Sequence, residues 1–301
     1  MPTISADPAA RPALPRLVAT DLDGTLLRAD GTVSERTRRT LAAVEEAGVE
    51  VVFVTARPPR WLGHLADVVG GHGRVVCLGG AAVWDLATGQ ALDVCGFPDD
   101  DARALVADLR AAVPGVSIAL ERVDGPVFDV GFRTAEPLEP AWVARPVEDT
   151  LRGGAAMPVG KILAVTADRP VPRRRVGETA GPVNLPVAAT AAQEQFFDNV
   201  RAAVGDRAHL AYSGAAGLAE LLAPHVTKDS ALARWCAREG IDAADVWAFG
   251  DMPNDLPMLR WAGRGLAVAN AHPDVLAAAD GVVGSNEDDG VARALEVVLN
   301  A

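Results

Sequence analysis

Asp21-Leu22-Asp23-Gly24-Thr25 follows a short apolar run, Leu17-Val18-Ala19, and sets two carboxylates two residues apart. In extended chain, residues i and i+2 point to the same side, so Asp21 and Asp23 are expected to project together. Like charges held close raise each other's cost of ionisation, and Gly24 then permits a tight backbone turn. Two other apolar runs end in polar groups. FVT ends at Thr55, and WAFG leads into Asp251, with Asn254 and Asp255 just beyond. Acids gathered at one sheet edge call for a cation, since two unit charges about 4 Å apart interact by about 4 kcal/mol at an effective dielectric near 20. A hard divalent ion with oxygen ligands answers that cost, and Mg²⁺ is the usual choice where phosphate is also bound.

The 28 basic residues include only two lysines, Lys161 and Lys228. Lys228 opens a helix-like segment beside the same expected edge, and lysine binds phosphate as a point charge. Lys161 ends GAAMPVGK, whose glycine spacing is wrong for a phosphate loop, so little effect on activity is expected from its loss.

These groups must be positioned by a scaffold, and the first ninety residues alternate strand and helix signals. Ser34 is a plausible N-cap for 34–49, VEVVFVTAR (49–57) reads as a buried strand, and Pro58-Pro59 can open a helix through about Val69. RVVCLGG (74–80) reads as a third strand, so the run is that of a parallel α/β sheet. The middle differs. SIALERVDGPVFDVGF (117–132) reads as two strands about an Asp-Gly-Pro turn, KILAVTAD (161–168) as a strand, and 98–113 and 193–204 as helices. Regular alternation returns after about residue 216. The expected fold class is α/β: a Rossmann-like parallel-sheet core, residues 16–89 and 217–301, interrupted by an α+β insert at 90–216. Residues 1–15, rich in Pro and Ala, are expected to be disordered.

A formal charge of −12 disfavours nucleic acid and anionic membrane as partners. Three scattered cysteines fit neither a disulfide framework nor a zinc site, and the five histidines lack zinc-ligand spacing. No apolar run suggests a signal peptide or a membrane span, so a cytoplasmic location is expected. Arg173 to Arg175 reads as a solvated turn, and Trp84 and Trp142 as packing residues.

Taken together, these motifs resemble the haloacid dehalogenase superfamily of phosphohydrolases, and within it the Cof-like phosphatases with a large cap (C2 type). DLDGTLL (21–27) is similar to the first motif, VTAR (54–57) to the second, Lys228 to the third and GDMPNDLPML (250–259) to the fourth. The family's closing segment corresponds to 267–295, so the resemblance spans about 16 to 299. It departs in three places: Ala56 replaces a glycine, Gly79-Gly80-Ala81 lacks an asparagine, and Asp229 follows the lysine.

The resemblance implies a Mg²⁺-dependent phosphatase acting on a small phosphorylated metabolite through an aspartyl-phosphate. Asp21 would be the nucleophile and Asp23 the acid/base. Mg²⁺ would be held by Asp21, Asp251 and the backbone carbonyl of Asp23. Thr55, the Ala56 amide, Lys228 and Asn254 would hold the phosphoryl oxygens, with Asp255 orienting Lys228 or a metal-bound water. Two alternatives stay open: a phosphomutase using the same aspartates, and a catalytically silent metabolite-binding protein. Substrate and oligomeric state are not read from the sequence.

Overall fold

The computed structural model describes residues 14–300 apart from 67, 69–72, 135–137, 145, 153–156, 167–190 and 212–216. The expected disordered start and Arg173 to Arg175 therefore lie almost wholly outside the described residues. Two sheets organise the described residues.

The first has eight strands: β1 (Leu17–Asp21), β2 (Glu50–Val54), β3 (Arg74–Cys77), β4 (Ala82–Asp85), β5 (Gln90–Val94), and, far along the chain, β12 (Val246–Gly250), β13 (Arg264–Val268) and β14 (Gly281–Val283). Their spatial order is β14-β13-β12-β1-β2-β3-β4-β5, parallel from β14 to β3 and closed by the antiparallel β4–β5 hairpin. β1 and β2 are buried along almost their whole length, as the unbroken apolar runs require of strands covered on both faces. The chain steps outward from β1 to β2 and β3 on one side, and from β12 to β13 and β14 on the other. The order thus reverses between β1 and β12, the switch point beyond whose strand ends ligands bind in such sheets.

Five helices accompany this sheet. Ser34 caps α1 (Glu35–Glu46), its hydroxyl accepting from the Thr37 amide. α4 (Lys228–Glu239) starts at a Thr227–Ser230 capping box and stops at left-handed Gly240. α5 (Leu256–Trp261), α6 (Pro273–Ala278) and α7 (Gly290–Leu299) complete the set. The helix expected over 58–69 is instead two 3₁₀ turns, Pro59–Trp61 and Gly63–Leu65. Pro59, with no N–H to give, opens the first of them.

The second sheet has six strands in the order β10-β11-β9-β6-β7-β8. They are β6 (Ser117–Arg122), β7 (Gly125–Asp129), β8 (Val143–Ala144), β9 (Lys161–Val165), β10 (His209–Ala211) and β11 (Leu218–Leu222), accompanied by helices α2 (Asp99–Ala112) and α3 (Ala191–Val204). All neighbours are antiparallel except β7 and β8. The expected hairpin over 117–132 is present as β6 and β7. Two seams differ from expectation. Gln90–Val94 pairs with the first sheet and Leu218–Leu222 with the second, because each completes a hairpin or ladder begun by its neighbour. The crossing points lie near 95 and 223, with Phe97 and Val159 exchanging backbone hydrogen bonds at 2.9 Å beside the first.

Candidate active site

Asp21 ends β1 and Asp251 follows β12, its hydrogen-bonded neighbour, so the sheet itself brings the two acids together. Asp255 lies one 3₁₀ turn further on and is fully buried. One carboxylate oxygen from each of Asp21, Asp251 and Asp255 falls within 4.8 Å of the others. Lys228, at the first position of α4, is driven into this group. Its Nζ donates to Asp21 Oδ1 at 2.5 Å and to Asp255 Oδ1 at 2.6 Å. Asp255 Oδ2 accepts from the amides of Asp251 (3.1 Å) and Met252 (3.0 Å), so both its oxygens are engaged. The third member of the acidic group is therefore Asp255, and its oxygens already hold the lysine and the turn.

Asp23 sits differently. Its carboxylate is clasped by Arg57, Nε to Oδ2 at 2.8 Å and Nη2 to Oδ1 at 2.5 Å. Arg57 is almost wholly buried, and its amide donates to Thr55 Oγ1 at 3.1 Å. The two acids of the first motif are thus held by different cations. Thr55 lies at the end of β2 and is buried; Ala56 is half-buried beside it. Asn254 has a buried Oδ1 with no hydrogen-bond partner among the described residues. An unsatisfied buried amide oxygen is costly unless something else meets it.

Burial pushes the Asp21 carboxyl well above its ordinary range, against the pull of the Lys228 ammonium, and the carboxylates of Asp255, Asp251 and Asp23 add to the rise. Asp251 is pushed up to about 7, by burial first and the Asp255 carboxylate second, with the Thr25 hydroxyl pulling the other way. Lys228 is held protonated by Asp21 and Asp255 in spite of its burial. One ammonium therefore does not neutralise the cluster. The oxygen-only donor set and the raised acids fit a hard divalent cation such as Mg²⁺.

Sequence reasoning missed several supports. Thr25 Oγ1 donates to Asp251 Oδ1 at 3.0 Å. Asn270 Nδ2 donates to the Gly24 carbonyl at 2.7 Å, tying the closing segment to the first motif. Gly24 has φ +87°, and a Cβ there would stand 2.4 Å from Asp251 Oδ2. Gly80, with φ +111°, would place a Cβ 2.1 Å from the Thr227 carbonyl, so this segment packs directly on the start of α4. Arg57 stood within a recognised motif without a role.

Lys161, left outside the site on the sequence, has one partner in its own sheet and another just beyond β2. It is buried, donates to Glu220 Oε2 at 2.5 Å, and reaches from the second sheet to the Ala56 carbonyl at 2.9 Å. Trp142 and Trp84 are partly buried against apolar clusters, as packing residues should be.

The haloacid dehalogenase-like hydrolase family matches residues 18–132 and 185–295, two blocks that carry every group just described except Trp142 and Lys161. The chain belongs to this family. This haloacid dehalogenase-like hydrolase is 29% identical over 290 residues to YxeH of Bacillus subtilis (strain 168), named as a candidate phosphatase, covering 94% of this chain and 98% of that protein. It is 28% identical over 289 residues to the 5-amino-6-(5-phospho-D-ribitylamino)uracil phosphatase YitU of the same organism, covering 94% and 97%. Among solved structures, a haloacid dehalogenase-like hydrolase from Bacteroides thetaiotaomicron superposes with a TM-score of 0.67 at 24% identity, covering 93% of this chain and 98% of that one. The family, the α/β fold with its second sheet and the phosphatase class expected from the motifs are borne out. No helix among the described residues is long and apolar enough to cross a membrane.

Proposed function

We propose that this phosphatase hydrolyses a small phosphorylated metabolite by way of a phosphoryl group carried on Asp21. The observation that supports this most is the Asp21–Lys228–Asp255 chain of contacts at the switch point, beside a raised Asp251. Asp21 and Asp251, with the backbone carbonyl of Asp23, would hold Mg²⁺, which when bound supplies positive charge to keep Asp21 ionised and offset the phosphoryl group. Asp21 Oδ attacks phosphorus and the ester oxygen leaves. Asp23 gives that oxygen a proton, then takes one from the water that releases phosphate. Lys228, Thr55, the Ala56 amide and the Nδ2 hydrogens of Asn254 would bind the phosphoryl oxygens.

Both the YitU phosphatase and the HMP-PP phosphatase of Escherichia coli (strain 55989 / EAEC), 28% identical over 270 residues, are named for small phosphorylated compounds. A substrate of that size fits the proposed division of labour, in which the core carries the chemistry and the six-stranded sheet forms a cap over the leaving group. The cytoplasm is the compartment proposed with it. Mixing the protein with an aryl phosphate, quenching and weighing it tests the mechanism. A phosphoryl mass is expected to accumulate in Asp23→Asn and to be absent from Asp21→Asn; a gain at the same site in Asp21→Asn overturns the assignment.

A further inference from the structure

Residues 55–60 are where the catalytic groups meet the second sheet. From the core side, Thr55, proposed to bind phosphate, follows β2, and Arg57 clasps Asp23. From the other side come two charged side chains. Glu121 holds Arg60 in a bidentate pair, at 2.5 and 2.9 Å, and Lys161 donates to the Ala56 carbonyl at 2.9 Å. Glu121 of β6 and Lys161 of β9 are direct cross-strand partners, so their side chains leave the same face of the sheet. Gly160, just before Lys161, would place a Cβ 3.0 Å from Leu78 Cδ1, so β9 begins hard against the core.

Glu220 gives the buried Lys161 ammonium a charge partner within its own sheet. The contact across to a core carbonyl is the feature that needs a reason. That carbonyl belongs to the planar peptide unit joining Ala56 to Arg57. The N–H of the same unit donates to Thr55 Oγ1 at 3.1 Å. The plane is therefore pinned at both ends, by Lys161 on the C=O and by Thr55 on the N–H. Rotating it would displace Arg57, and with Arg57 the carboxylate of Asp23.

We propose that Lys161 is a positioning residue for the reaction. Reaching from the second sheet, it fixes the Ala56–Arg57 peptide plane and, through Arg57, the place from which Asp23 delivers its proton. The acid is then fully assembled only while the six-stranded sheet sits over the core. The inference rests on the reading of Asp21 as nucleophile and Asp23 as proton donor.

The test compares kcat/KM, which reports steps up to phosphoryl transfer, for an aryl and a simple alkyl phosphate. The first needs little protonation of its leaving oxygen; the second depends on it. Lys161→Met/Glu220→Gln removes the buried charge without orphaning a carboxylate. Proton transfer typically contributes about 10²–10⁴-fold, so a displaced acid is expected to cost about 10-fold or more on the alkyl ester and about 3-fold or less on the aryl ester. A purely structural loss would lower both alike, in proportion to the folded fraction. Should the double variant fail to fold, Lys161→Gln, one bond shorter and still able to pair with Glu220, is read the same way. Equal losses on the two esters, or none, overturn the proposal. Asp21→Asn is measured alongside: turnover there overturns the underlying reading and this inference with it, whereas an inert Asp21→Asn beside equal ester losses overturns the inference alone.

Discussion

Arg57 and Asp23, 34 residues apart in the chain, form a fork-to-fork pair, with the guanidinium almost wholly buried and the carboxylate partly open. A planar fork fixes a carboxylate's direction as a single ammonium does not. Arg57→Leu is therefore expected to lower kcat/KM for an alkyl phosphate by about 10²-fold, within the range of general acid catalysis. Binding of inorganic phosphate, measured by calorimetry, is expected to stay within about 3-fold. A loss confined to phosphate affinity would place Arg57 on the phosphoryl group instead.

The raised acids link metal and pH. The unfolded chain ionises Asp251 near its ordinary value, while the folded site holds the proton up to about 7. In that window the folded state binds more protons, so stability from this group is present at low pH and lost as pH rises through about 7. A divalent cation bound there would supply the missing charge and release the proton. Thermal melts with and without Mg²⁺ are expected to differ more at about pH 8 than at about pH 5.5. An equal shift at both values would show that Asp251 is no part of the metal site.

Asp255 is the least replaceable acid. It is fully buried, and its two oxygens serve Lys228 and two turn amides. Asp255→Ala is expected to cost about 3–5 kcal/mol, the usual loss when one partner of a buried pair is removed. Urea unfolding measures it; a loss below about 1 kcal/mol would be that of an exposed pair.

Gly80→Ala asks a left-handed backbone and an occupied space to accept a methyl group, with the Thr227 carbonyl 2.1 Å from the new carbon. A destabilisation of more than about 1 kcal/mol is expected, together with reduced turnover because the start of α4 carries Lys228. Full activity with full stability would mean that this close approach does not position the lysine.

The acids, the threonine and Lys228 were legible because each sits at a strand end or helix start whose pattern is local. The parallel sheet was legible for the same reason. The β4–β5 hairpin and the true crossing points near 95 and 223 were not, since the strand-like character of 90–94 and 218–222 does not say which sheet receives them. Arg57 and Lys161 escaped for a related reason. An arginine looks alike whether it is solvated or holds a carboxylate, and the acceptor for Lys161 is a backbone carbonyl that leaves no trace in residue types. The expected helix after Pro58 is interrupted where the second 3₁₀ turn begins, at Gly63, a residue that favours helix poorly.

β1 lies at the middle of its sheet, yet the strand that covers its second edge is β12, and Thr25 meets Asp251 across 226 residues of chain. On a ribosome making about 5–20 residues per second, that edge waits roughly 10–45 s for its partner. For that interval the nascent chain offers an unpaired, mostly apolar strand that ends in carboxylates, the kind of edge that recruits other chains. The whole second sheet is synthesised during the wait, so it can fold as a unit before the core closes. Chains truncated before residue 246 are expected to be chaperone-bound or aggregated, with no partial active site.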